Sequence, residues 1–339
     1  MSHPDFPGAA GYLNTASIGL PPLAVSEAMH AAVDDWSAGR VQAPDYDPYV
    51  DRSRAAWARL HGVEPATVAI GPQVSYFAGL VAQALPDGAE VVGFEGDFTS
   101  LLFPFLEREG IDVRLVALDR VADAIRDRTT LVAVSAVQSA DGRVADLDAI
   151  AAAAESHDAL TLVDVTQASG WLPVDATRID FTTGGAYKWL LSPRGTSFMA
   201  IRQERAGDLR PIAPGWYAGE RVWESIYGAP LRLAADARRF DLSPAWLSWV
   251  GTASALEYVE QAGVEAIQAH DVGLANLLRE GLGLPSSDTA IVALAHEGAA
   301  EAFDRAGIRA AVRAGSLRVC FHLYNDEADV DAVLRALAA

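Results

Sequence analysis

One residue type occurs only once among the bases of this 339-residue chain. Lys188, in TTGGAYKWLLSPRGT (182–196), is the single lysine among 26 basic residues, and all the others are arginine. A lone lysine can be a remnant of drift. It can also mark a task that arginine cannot perform, because a guanidinium does not deprotonate in proteins. An amine that attacks a carbonyl to form a Schiff base, or that shuttles a proton, is such a task.

Other polar residues of chemical interest follow short apolar runs. Asp164 follows LTLV, with Gln167 three residues on. Gln73, Val74 and Ser75 follow TVAIGP and open a helical pattern, which makes an anion site at a helix N-terminus. Phe98 follows the run ending at Phe94, and Ser139 follows LVAVSAVQ. In open α/β sheets ligands sit beyond the carboxyl ends of the strands. One lysine, one carboxylate and one phosphate cradle suit pyridoxal phosphate. That cofactor needs an amine for covalent attachment, an acid opposite its pyridine nitrogen and donors for its phosphate. Each part also has a plainer reading. Asp164 could cap a helix, and Ser75 taken alone reads as an ordinary N-cap.

The elements that must position these residues are legible as a pattern. The strand candidates are TVAI (67–70), EVVGF (90–94), VRLVAL (113–118), LVAVSAV (131–137), LTLVDV (160–165), DFTTG (180–184) and SFMAI (197–201). Helical stretches such as VSYFAGLVAQAL, TSLLFPFLEREG and LDAIAAAAESH lie between them. This alternation predicts a mostly parallel sheet covered on both faces. An irregular stretch rich in Trp, Tyr, Gly and Pro follows around 206–244. Its Trp216, Tyr217, Trp223 and Tyr227 either line a side-chain pocket or pack as a loop over the domain junction. A single long helical pattern then runs from about 245 to 281. Next come a strand (TAIVALAH), a helix (AAEAFDRAG), a strand (SLRVCFHL) and a final helix (EADVDAVLRALAA). This is a smaller α+β unit, against which the N-terminal tail is expected to pack. In SLRVCFHL the alternation puts Leu317, Val319, Phe321 and Leu323 toward the core. Arg318, Cys320 and His322 share the other face. Arg318 there is either a carboxylate fork or an exposed arginine on a half-buried strand.

Composition narrows the function classes. A formal net charge of −19 argues against nucleic acid and anionic membrane surfaces as partners. No apolar run is long enough to span a bilayer, and the start MSHPDFPGAAGYLN lacks the marks of a secretory signal. The single cysteine, Cys320, excludes an internal disulfide framework and a thiolate zinc cluster. The seven histidines show no metal-ligand spacing, so no metal site is expected. A cytoplasmic protein fits these features.

The run LVDVTQASGWLPVD, followed by GGAYKWLLSPRGT, resembles the class V aminotransferase family of fold type I pyridoxal-phosphate enzymes. That family includes cysteine desulfurases, kynureninases and isopenicillin N epimerases. The resemblance extends from YLNTASIGLPP (12–22) to LRVCFHLYNDEADVDAV (317–333). It implies a seven-stranded, mostly parallel sheet flanked by helices in a large cofactor-binding domain (17–240). A smaller C-terminal α+β domain (241–339) would follow, with the tail 1–16 packed on it. It implies that Lys188 carries the cofactor and that Asp164 partners the pyridinium. Gln167 would then bond the phenolic oxygen and Phe98 stack on the ring. Gln73, Val74, Ser75 and Tyr187 would hold the phosphate. Arg318 would grip the α-carboxylate of a small amino-acid substrate, with Ser139 near it. Ser243, in ARRFDLSPAW, matches a segment that reaches a neighbouring subunit's phosphate, which implies a homodimer with shared sites.

The shared machinery leaves the outcome open. The first expectation is a desulfurase-like lyase that breaks a C–S bond by β-elimination. Alternatives are an aminotransferase or an epimerase, and, from another class, a cofactor-binding regulator without turnover. Two departures from desulfurases bear on this. The stretch FDRAGIRAAVRAGS (303–316), where they carry a persulfide cysteine on a mobile loop, has none. Phe98 stands where they place a histidine. Cys320 on a strand reads most simply as a small buried hydrophobe.

Overall fold

A computed structural model describes residues 3–295 and 298–338. Seven strands build the larger sheet: β1 (Val68–Gly71), β2 (Glu90–Phe94), β3 (Asp112–Val116), β4 (Thr129–Ser135), β5 (Leu160–Asp164), β6 (Phe181–Gly185) and β7 (Ser197–Ile201). Three more, β8 (Ile291–Leu294), β9 (Ala311–Arg313) and β10 (Ser316–Cys320), form a separate antiparallel sheet. The helices are α1 (Leu23–Ser37), α2 (Asp47–Leu60), α3 (Val74–Ala84), α4 (Thr99–Glu107), α5 (Val121–Ala124), α6 (Leu147–Ser156), α7 (Trp246–Ala262), α8 (Val264–Gly281), α9 (Ala299–Ala306) and α10 (Glu327–Ala338). The expected strand TAIVALAH and the final helix each run into positions outside the described residues, at His296 and Ala339 respectively.

The large sheet has the order β1-β7-β6-β5-β4-β2-β3. The pairs among β2, β3, β4, β5 and β6 are parallel, and β7 is antiparallel to both its neighbours. Because β7 alone is inverted, β1 runs in the same direction as β6. The carboxyl ends of β1, β2, β4, β5 and β6 therefore meet along one edge.

Continuous apolar strands arise because both faces are buried. Successive residues point to opposite faces. Ile70, Val132, Val134, Val163 and Phe198 enter one core with Trp57 of α2 and Trp249 of α7. Ala69, Leu131, Ala133, Leu162 and Met199 enter another with Phe77 of α3 and Phe105 of α4. The small sheet packs on α8, α9 and α10 through Leu317, Val319 and Phe321, together with Leu13 of the N-terminal segment. That segment pairs at Tyr12 with Arg309 and at Asn14 with Cys320.

Three details differ from the sequence reading. The single helical pattern from 245 to 281 is two helices, broken at Gly263, whose φ is 80°. The short strand β9 is additional, and pairs antiparallel with β10. The second face of β10 is also closed: Arg318, Cys320 and His322 are all buried.

Candidate active site

A cavity lies at the shared carboxyl edge and brings together Gln73, Val74, Phe98, Ser139, Asp164, Gln167, Tyr187 and Lys188. Lys188 follows β6 and is only 5 % exposed. Its Nζ lies 5.3 Å from the Phe98 ring centroid and 5.5 Å from that of Tyr187. Among the described residues it makes no hydrogen bond and no ion pair. Burial pushes the amine down to about 8, with Asp164 opposing the shift and Arg318 adding to it. The lysine segment is held from the N-terminal side. Gly19 N–H donates to the Tyr187 carbonyl at 3.0 Å. A Cβ at Gly19 would fall 2.0 Å from the Lys188 carbonyl oxygen, so only glycine permits this approach.

Asp164 ends β5, between Ser135 of β4 and Thr183 of β6. Its Oδ1 accepts from Thr166 N–H at 2.8 Å. Burial raises its carboxyl to about 6, while the Thr166 hydrogen bonds hold it lower than burial alone would. Gln167 has a fully engaged amide. Nε2 donates to the Ala16 carbonyl and to Ser139 Oγ, both at 3.0 Å, and Oε1 accepts from Trp189 Nε1 at 2.8 Å.

Val74 is the first residue of α3 and Gln73 its N-cap, so free backbone N–H groups open onto the cavity. Ser75 lies outside this cavity, in an adjoining surface cleft with Ser100 and Phe103. Phe98 caps α4 and is 45 % exposed. Asp97 anchors it: Oδ1 accepts from Phe98 N–H at 2.7 Å, and Oδ2 accepts from Ser135 N–H at 2.8 Å. Ser243 is exposed and does not line the cavity.

Arg318 stands one layer behind the cavity and is 1 % exposed. Nη1 donates to the Ser139 carbonyl and to Ser139 Oγ, and Nη2 donates to Ser17 Oγ at 2.7 Å. Cys320 is fully buried, and burial pushes its thiol up. His322 ties two elements to the lysine segment. Its Nε2 lies 3.0 Å from the Trp189 carbonyl, which only accepts, so Nε2 carries a proton. Its Nδ1 meets Asp271 of α8 at 2.8 Å.

The aromatic stretch packs elsewhere. Tyr217 Oη and Trp223 Nε1 both donate to the Asp47 carboxylate at the start of α2, at 3.0 and 2.6 Å, and neither lines the cavity. Residues that the sequence reading did not single out include Ser135, Thr166, Arg194 and Thr196, which line the cavity, and Asp97 and Ser17 behind it. Ser135 and Thr166 had a usable signal, since both sit at carboxyl strand ends. Ser17 had none, because it arrives from the far end of the chain.

Among the described residues no helix is long and apolar enough to cross a membrane. The family model "Aminotransferase class-V" matches residues 111–297, more than half of the chain. An uncharacterised aminotransferase of Bacillus subtilis (strain 168) is 29 % identical over 311 residues, covering 85 % of this chain and 82 % of its own length. An isopenicillin N epimerase of Amycolatopsis lactamdurans is 27 % identical over 343 residues, covering 86 % of this chain and 84 % of its own. A cystine C–S lyase in complex with its product cysteine persulfide superposes with a TM-score of 0.87 at 23 % identity, covering 98 % of this chain and 99 % of that one.

Proposed function

The chain belongs to the class-V aminotransferase family and is a pyridoxal-phosphate enzyme of fold type I, and from that premise we propose that it is a C–S lyase acting by β-elimination without a persulfide cysteine. The cofactor fits the donor set. An amine that makes no hydrogen bond or ion pair among the described residues, a buried carboxylate and a helix N-terminus meet in one cavity. Bound there, pyridoxal phosphate supplies an electrophilic carbon and an electron-withdrawing ring. Lys188 would hold the cofactor and, once the substrate amine has displaced its own amine, would take the proton from the substrate Cα. Asp164 holds a proton at the ring nitrogen. Phe98 covers one ring face and excludes water from it. The N–H groups at Gln73 and Val74, with Tyr187 beside them, bind the phosphate, and Ser75 supports that turn from the adjoining cleft. Gln167 donates to the phenolic oxygen after exchanging one of its present N–H partners. Arg318 binds the α-carboxylate after exchanging its present Ser139 and Ser17 partners, with Ser139 positioning it. Ser243 serves the cavity of a second copy in a homodimer.

The observation that separates this reading from a persulfide-forming desulfurase is the hairpin from β9 to β10. Residues 303–316 form the end of α9, a four-residue connection, the strand β9, a two-residue turn at Ala314 and Gly315 with φ of 47° and 81°, and the first residue of β10. This leaves no long loop for delivering sulfur, and Cys320 is locked in β10. Assays of the holoenzyme for sulfide, keto acid, ammonia and racemisation across cysteine derivatives test the reading. Cys320→Ala is expected to keep most of the turnover, with no protein-bound persulfide formed from L-cysteine. A persulfide on Cys320 together with lost turnover in the variant overturns it. A second reading, epimerisation or transamination, is favoured by the likeness to an epimerase and an aminotransferase. Racemised product or keto acid without a released thiol selects that reading instead.

A further inference from the structure

Arg313 ends β9, and the strand register fixes where its side chain leaves. Ala311 pairs with Arg318 and Arg313 with Ser316. Cross-strand partners share a face, as do residues two apart. Arg313 and Arg318 thus emerge on the same side of the small sheet, one diagonal step apart, with the small Ala311 between them. The turn at Ala314 and Gly315 has φ > 0 at both positions, which matches a tight hairpin and holds this register.

The two guanidinium groups converge on one hydroxyl. Ser17 Oγ lies 2.7 Å from Arg318 Nη2 and 3.3 Å from Arg313 Nη2. Among the described residues neither arginine pairs with a carboxylate, although the chain has 45 acidic residues. Other arginines here are commonly paired, as Arg52 is with Glu257 and Arg59 with Glu260. Two like charges at a shared acceptor repel each other. Burial chiefly, and the charge of Arg313 as a lesser cause, depress both the Arg318 guanidinium and the Lys188 amine. An α-carboxylate takes up one guanidinium, usually in a two-point contact. The other, exposed and held by the Ser17 hydroxyl and the Val312 carbonyl, remains without a carboxylate partner among the described residues.

We propose that the substrate is an α-amino acid whose side chain carries a second carboxylate, and that Arg313 selects it. This rests on the reading that Arg318 receives the α-carboxylate of an amino acid. Arg313 is exposed and shares Ser17 with Arg318, which in turn contacts Ser139 of the cavity, so its guanidinium lies on the side from which the distal end of a substrate held by Arg318 would extend.

The test titrates the holoenzyme with acid and amide pairs of equal shape, following cofactor absorbance at equilibrium. Aspartate is compared with asparagine, and S-carboxymethyl-L-cysteine with S-carbamidomethyl-L-cysteine. The acid is expected to bind about tenfold more tightly, the effect of one charge-assisted contact. Arg313→Gln should remove that preference and leave amide affinity unchanged, while Arg313→Lys should keep part of it. Equal affinity for acid and amide in the unmodified enzyme overturns the proposal. So does an Arg313→Gln variant that weakens both members equally. If no amino acid of either kind perturbs the spectrum, the amino-acid reading falls with it. If spectra respond without preferring the acid, only the role of Arg313 falls.

Discussion

At the scale of single residues, Lys188 and Asp164 are both tuned by burial. A lysine must be neutral to capture an aldehyde, and burial brings Lys188 from 10.5 down to about 8. Its amine therefore loses the proton as pH rises through about 8. The rate of covalent reconstitution of the apoenzyme with pyridoxal phosphate should rise through that same range. A rate that keeps climbing toward the ordinary lysine value contradicts the environment described. The second prediction concerns Asp164→Asn. The amide keeps the shape and the bond from Thr166 N–H, but it cannot balance a protonated ring nitrogen. The variant should retain cofactor on dialysis and lose most turnover. Near-normal turnover would remove Asp164 from its proposed role. Lys188, Asp164 and Gln167 were legible because a short local run carries them. Ser17, Asp97 and Arg313 were not, because each becomes relevant only when a distant segment folds onto the site.

At the scale of elements, the lysine segment is clamped by pieces that are remote in sequence. The N-terminal segment reaches it at Gly19, and the segment just after β10 reaches it through His322 at the Trp189 carbonyl. Gly19→Ala forces a methyl to 2.0 Å from the Lys188 carbonyl oxygen, so backbone must move. Overpacking of this kind costs about 1–3 kcal/mol. Urea unfolding should register that loss, and the variant should also release cofactor faster, since the displaced atoms belong to Lys188 itself. A variant with unchanged stability and cofactor retention would mean the contact is slack. The strands of the large sheet were legible because burial on both faces writes continuous apolar runs. The break at Gly263 was not, since the apolar pattern continues across it and a single glycine inside a helical pattern is tolerated. β9 is a three-residue strand with two exposed positions, too short to show alternation.

At the scale of the whole molecule, one flank of the site is uncovered. Phe103 and Leu106 project from α4 at 61 % and 51 % exposure, next to Phe98 at the cavity mouth. Phe103 lines the adjoining cleft with Ser75 and Ser100. Apolar side chains grouped beside a functional cavity point to a surface that another body covers. Ser243 is exposed and does not line its own cavity; in the proposed dimer it would act across the two-fold axis. A second copy of this chain is the occupant we expect. Sedimentation should then give twice the 35.9 kDa chain mass. Phe103→Glu places a charge in that apolar contact, whose burial without a partner is unfavourable. The variant should shift toward the monomer. It should also bind pyridoxal phosphate more weakly if the partner completes the phosphate site, even though the substitution lies outside the lysine cavity. A variant that becomes monomeric yet keeps full cofactor affinity would separate assembly from the site and leave Ser243 without a role. A wild-type chain that sediments as a monomer at assay concentrations would sink the dimer itself.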